Sequence, residues 1–162
     1  MSIFREIVNL WKSEDLLSQA WDESYKMMML SNEMFTQAIK YLREGENDET
    51  IRMLKKRDVE INTFQRDVRK KVVTHYAISQ DIEDLPNGLV LLNMVVDVER
   101  VGDYTKNILD LALNHPNTIK SEEFSEDLYH VEQEVISRFS KTLEAIHTQD
   151  ADVARSMMVS YK

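Results

Sequence analysis

Four oxygen-bearing side chains at helical spacing are the residues of this chain best placed to do chemistry: Asp58 with Asn62, and Glu99 with Asp103. The second pair lies in LVLLNMVVDVERVGDYTKN, Leu89 to Asn107, which reads as helix throughout. Leu89, Leu92 and Val96 fall at steps of three and four, one stripe of a 3.6-residue period, and the stripe continues through Glu99 and Asp103. Two acids four apart on one helix face stand about 5–6 Å from each other and repel unless a cation lies between them. Gly102 adds to the anomaly, because a glycine inside a helix costs about 1 kcal/mol relative to alanine. A missing side chain there lets another helix backbone or a bound ion come close. The adjoining line of Asn93, Asp97, Arg100, Tyr104 and Asn107 is polar and is expected to face water, with Asp97 and Arg100 forming an i,i+3 ion pair.

The first pair lies on a preceding helix, predicted from Glu49 to about Tyr76, whose buried line contains Ile51, Leu54, Ile61, Val68 and Val72. Asp58 sits on that apolar line and Asn62 follows one turn later. The two helices run antiparallel through a short loop. Counting about 1.5 Å per residue from it brings both pairs to nearly the same height, and packed helices lie about 8–10 Å apart. The spacing therefore permits one oxygen-only site made of Asp58, Asn62, Glu99 and Asp103, suited to hard or borderline ions such as magnesium, manganese or iron. The competing reading gives the acids salt bridges to Lys or Arg of a neighbouring helix and makes the chain a structural helical interaction module. A third reading starts from Glu144-Ala-Ile-His147, the Glu-x-x-His spacing of ferritin-like di-metal bundles. Such bundles use two of these motifs and two further glutamates, and here the motif occurs once, at a helix end. No nucleophile–base–acid arrangement and no glycine-rich phosphate loop appears, so an enzyme is not expected.

The elements that must position these residues are helical. Only three glycines and two prolines occur in 162 residues, which predicts an all-α, antiparallel helical bundle. A net charge of −9 disfavours a nucleic-acid partner. The chain has no cysteine, which removes disulfides and thiolate sites, so any metal must be held mainly by oxygen. No apolar run reaches membrane-spanning length and no signal-peptide pattern opens the chain, so a cytoplasmic address is expected.

In chain order, Ile3 to Trp11 form a short amphipathic helix, read as a packing arm or dimer contact, or as a peripheral membrane contact. A long helix follows from a Ser13 N-cap to about Arg43, burying Leu17, Trp21, Met28, Phe35, Ile39 and Leu42, with Met27 to Met29 as adaptable core. Gly45 closes it, and Asn47 or Asp48 caps the next. The basic residues Lys55, Lys56, Arg57, Arg66, Arg69, Lys70 and Lys71 are read as a solvated helix face in preference to a phosphate patch. Ser79 to Asp84 form a loop, and Pro86 opens a third long helix that ends near Asn114. A fourth runs from about Ser121 to His147 through Phe124, Leu128, Val131, Val135, Phe139 and Ile146, and a fifth from Ala151 to Tyr161. His75, His115 and His130 are placed near helix ends or on polar faces.

With these residues in view, VVDVERVGDYTKNI, Val95 to Ile108, resembles the Glu-Arg-x-Gly-Asp helix of the PhoU family of phosphate-uptake regulators and its Glu/Asp-x-x-x-Asp metal motif. By this resemblance Glu99 and Asp103 map onto metal-binding positions, and Asp58 and Asn62 onto the partner motif. Asn62 departs from the usual carboxylate, which is expected to weaken or reshape the site. Gln149-Asp150-Ala151-Asp152 looks like the turn that opens the second helix of a repeat. The implied organisation is an arm over 1–12, one three-helix repeat over 13–116 and part of a second over 117–162. A full-length family member would carry a second acidic pair of motifs, so the chain is expected to be truncated, to have lost its tail, or to be completed by a second molecule as a homo-oligomer. The resemblance implies a cytoplasmic accessory protein that damps phosphate-uptake signalling by contact with a phosphate transporter or a sensor histidine kinase. It implies binding of iron, zinc, manganese or magnesium without catalysis.

Overall fold

A computed structural model describes residues 13–79, 83–115, 125–148 and 150–159. Among them are six helices: α1 (Ser13–Glu44), α2 (Asp48–Lys56), α3 (Asp58–Ser79), α4 (Leu85–Asn114), α5 (Ser125–Thr148) and α6 (Ala151–Val159). The fold is the all-α bundle expected, and the punctuation between α1 and α2 follows the sequence. Gly45 takes φ +81°, and its N–H donates to the Tyr41 carbonyl at 3.0 Å. This is the left-handed closure that glycine adopts without strain. Asn47 then caps α2, its Oδ1 accepting from the Thr50 N–H at 2.9 Å. The amphipathic segment Ile3 to Trp11 lies outside the described residues.

The central rod is α1, which packs along α3 and α4 on one side and against α5 on another. Being covered from several directions, it buries more than one stripe: Leu17, Ala20, Met27, Met28, Met34 and Ala38 all join the core. Met29, the third of the methionine run, points outward. The inner line of the second predicted helix is as expected, with Ile51, Leu54, Ile61, Val68 and Val72 buried.

Three features differ from expectation. The helix predicted from Glu49 to Tyr76 is two helices, broken at Arg57. There the N–H of Arg57 donates to the Leu54 carbonyl at 3.0 Å and the N–H of Glu60 to the Arg57 carbonyl at 2.8 Å. These i→i+3 bonds tighten the chain for one turn. The Arg57 guanidinium fixes the break by reaching Glu33 on α1 at 2.7 Å and Glu60 at 3.3 Å.

The second difference is the phase of α4. Its buried stripe is Gly88, Leu91, Val95, Val98, Gly102, Thr105 and Leu109, one position before the stripe through Leu92, Val96, Glu99 and Asp103. Leu89, the first residue of the expected stripe, is 51% exposed. The reason is close approach. Tyr76 lies over Gly88 and Ile61 over Gly102, so the helix turns its two bare positions toward α3.

The third concerns α5. Leu128 and Val131 are exposed, because among the described residues α5 packs only against α1 and α6. An open apolar trough of roughly 600 Å³ is left between α4 and α5, lined by Met28, Val98, Val101, Val135 and Phe139 among others.

A cation-bearing seam between α3 and α4

Asp58 is the first residue of α3, and the break at Arg57 introduces it into the core at 8% exposure. Facing it on α4 is Gly102. A Cβ built on Gly102 would sit 3.0 Å from Ile61 Cδ1 and 3.5 Å from Asp58 Oδ1. The bare glycine thus lets α3 come close enough for a carboxylate and a branched aliphatic side chain to rest on helix backbone.

One turn further along α4, Lys106 supplies the charge that this acid needs. Its Nζ donates to Asp58 Oδ2 at 2.9 Å across the seam and to Asp103 Oδ1 at 2.7 Å on its own helix. Asn62 donates through Nδ2 to the same Asp58 Oδ2 at 2.9 Å and to the Asp58 carbonyl at 3.1 Å. Asp58 Oδ1 is buried and accepts no hydrogen bond. Leaving such an oxygen unpaired carries a desolvation cost, commonly about 1–3 kcal/mol and more for a charged group.

The hydrogen bond to Asp103 raises the Lys106 pKa above its ordinary value, burial opposes this, and the bond to Asp58 adds to it. A lysine so raised contributes stability that is fully present below its unfolded pKa and is lost only as pH climbs through the higher folded value. Lys106 is therefore a fixed positive charge at neutral pH.

Of the four residues that the sequence brings forward, the structure joins Asp58 and Asn62 directly and Asp58 and Asp103 through Lys106. The height argument holds to within about one helical turn: Asp58 faces Gly102 and Lys106, where Asp103 was expected. Glu99 is partly buried and makes no hydrogen bond or ion pair with a described residue. Asp103 is half-exposed, on the flank of α4. The salt-bridge alternative thus describes the arrangement seen, with the lysine supplied by α4. Sequence reasoning missed Lys106, although the signal was present: Asp103-x-x-Lys106 is an i,i+3 pair one turn beyond Gly102.

Whether a metal ion suits this seam can be judged from the donors. Two carboxylates, an amide oxygen and the nearby Glu99 are hard oxygen ligands, and Asp58 Oδ1 is a buried acceptor without a donor. As the side chains stand, no three His, Asp or Glu groups among the described residues converge on one point, and an ammonium holds the space between the two acids. As placed, these donors do not make up a metal site, and the positive charge of the seam is that of Lys106.

The remaining candidates are otherwise engaged. Glu144 is exposed and the His147 ring stacks on Tyr25 at 5.2 Å. His75, expected near a helix end or on a polar face, lies one turn before the end of α3 and is buried at 3% exposure with its ring edge-on to Tyr76. Three of the seven residues of the basic cluster pair with acids: Lys55 with Asp110, Arg57 with Glu33, and Lys71 with Glu23 at 2.6 Å. Asp97 and Arg100 form the surface pair expected, at 3.2 Å.

A helical bundle in which two antiparallel rods share an acid-lined, cation-bearing seam is the class of protein that this geometry defines. The PhoU domain family model matches residues 25–112, more than half of the chain and all four candidate residues, and the chain belongs to that family. The chain is also similar to the phosphate-specific transport system accessory protein PhoU homolog of Clostridium acetobutylicum, at 24% identity over 143 residues. That alignment covers 87% of this chain and 64% of the relative, so the chain spans less than two thirds of the relative's length. No solved structure matches the chain significantly.

Proposed function

We propose that this protein is a regulatory accessory of phosphate transport that acts by contact with a phosphate transporter or a sensor histidine kinase, and that it performs no reaction of its own. Membership of the PhoU domain family and the likeness to a transport-system accessory protein support the regulatory role. Among the described residues no helix is long and apolar enough to cross a membrane, which accords with an accessory that meets its transporter from the cytoplasm. Deleting the chain from its host should alter phosphate uptake, and restoring it in trans should reverse the change. Uptake indifferent to the deletion would remove this reading.

The same reading gives the protein a divalent or trivalent metal ion, such as iron, zinc, manganese or magnesium, held by Asp58, Asn62, Glu99 and Asp103. When bound, the ion supplies positive charge that cross-links α3 to α4. The observation that supports it is Asp58 Oδ1, a buried carboxylate oxygen without a donor, beside a glycine. In equilibrium dialysis against manganese the double variant Glu99→Ala/Asp103→Ala should lose metal uptake while its helical circular dichroism is unchanged. Undiminished stoichiometry in that variant would withdraw the site.

A further inference from the structure

We propose that two copies of this chain pair through α5, each laying that helix antiparallel into the trough between α4 and α5 of the other. The proposal is independent of the metal reading. Helix α5 presents one stripe that the rest of the chain leaves open: Leu128 and Val131 are 39% and 59% exposed, and Val135, Phe139 and Thr142 line the trough. Across it, Val90 of α4 lines the same trough at 53% exposure. Contiguous apolar surface of this kind marks a contact with another molecule. The Arg43–Glu132 pair fastens α5 to α1 and so fixes which face of the helix is left outward.

The order of residues along the stripe identifies the partner as a second copy. Leu128 and Thr142 stand seven positions either side of Val135, and Val131 and Phe139 stand four either side. Reversing the helix about Val135 therefore sets Leu128 against Thr142, Val131 against Phe139 and Val135 against itself. This is the self-complementarity that a two-fold interface requires, and steps of three and four are those of a helix–helix seam. Charge gives the same answer. One edge of the stripe carries Asp127, Glu134, Arg138 and Lys141, two acids followed by two bases. In an antiparallel pair that edge meets its own copy reversed, so Asp127 falls beside Lys141 of the other copy and Glu134 beside Arg138. A parallel pair would set acid on acid and base on base. Glu134 and Arg138 already bond along the helix at 2.7 Å. Asp127 and Lys141 are exposed and form no ion pair with a described residue. They lie about 21 Å apart along the helix, too far to meet within one molecule.

The test is sedimentation equilibrium of the full chain from micromolar to millimolar concentration, with helical circular dichroism as the check on folding. Wild type should approach twice the 19.1 kDa of one chain. Val131→Lys puts an ammonium on the seam at an exposed position, and should weaken association about tenfold or more. Asp127→Lys and Lys141→Glu should each weaken it several-fold, and the two together should return it to within about twofold of wild type. A chain that is monomeric throughout overturns the proposal and leaves the trough to residues 3–11 or to a transport component. A dimer indifferent to Val131→Lys, or charge exchanges whose losses simply add, overturns it as well, since another surface would then join the copies. A further measurement needs no variant. Amide exchange over residues 128–142 of the wild type should slow as concentration rises, because α5 is then held by the second copy as well as by α1 and α6. Exchange independent of concentration would also defeat the proposal.

Discussion

Gly102 of α4 and Ile61 of α3 meet so closely that a methyl group at position 102 would lie 3.0 Å from Ile61 Cδ1, and Ile61 is fully buried. Glycine-to-alanine inside a helix ordinarily gains about 1 kcal/mol, and here that gain is opposed by the displacement of a pinned core side chain. Gly102→Ala should fall within about 1 kcal/mol of wild type, whereas Gly102→Val, a β-branched overpacking, should cost about 1–3 kcal/mol. Adding Ile61→Val to Gly102→Ala should recover part of the loss, seen as positive coupling in a urea double-mutant cycle. Strict additivity of the two changes would show that this contact does not set the helix spacing.

Much of the fold was legible because apolar residues at Ile51 and Leu54 in α2 and at Ile61, Val68 and Val72 in α3 leave only one way to turn these helices, and Gly45 and Asn47 mark the start of α2. The phase of α4 was not legible from periodicity. Leu89, Val90, Leu91, Leu92, Met94, Val95, Val96 and Val98 put apolar groups on nearly every side, so several stripes were available. The glycines held the answer, because Gly88 and Gly102, fourteen positions apart, share one face of the helix. Read that way, the sequence would have placed Glu99 and Asp103 on the flank and brought Lys106 forward as the residue one turn beyond Gly102. The break at Arg57 had no such signal, since no glycine or proline marks it and Arg57 reaches a residue of α1 that only the tertiary fold brings near.

At the loop end of the same seam, a Cβ on Gly88 would overlap the Tyr76 ring, whose hydroxyl donates to the Asp84 carbonyl. Gly88→Ala should therefore destabilise by about 1–3 kcal/mol through expulsion of the ring and loss of its hydrogen bond. In the Tyr76→Ala background the same substitution should be neutral or stabilising. Thermal melts of the four proteins decide it, and an equal loss in both backgrounds would point to a cause other than the ring.

Arg43 on α1 grips both carboxylate oxygens of Glu132 on α5, Nε donating to Oε1 and Oε2 at 3.1 Å each and Nη2 to Oε1 at 2.9 Å, and the glutamate is 6% exposed. Such a bidentate pair is geometrically specific. Glu132→Ala leaves a partly buried guanidinium without its acid and should cost about 2 kcal/mol, the exposure of Arg43 holding the loss below that of a fully buried pair. Glu132→Gln, which keeps the shape and one acceptor, should cost less. Urea midpoints for the two variants provide the comparison, and a larger loss for the glutamine would exclude this account.

The attachment of α5 has a consequence for how the molecule comes apart. Because this helix and α6 meet the rest of the described chain only along α1, they can detach without disturbing the contacts among α1, α3 and α4. Amides of α5 and α6 should then exchange with deuterium through a sub-global opening of lower free energy, while those of Ile61, Val95 and Leu109 wait for complete unfolding. Such a protein has two levels of opening, and the less protected one carries no residue of the seam.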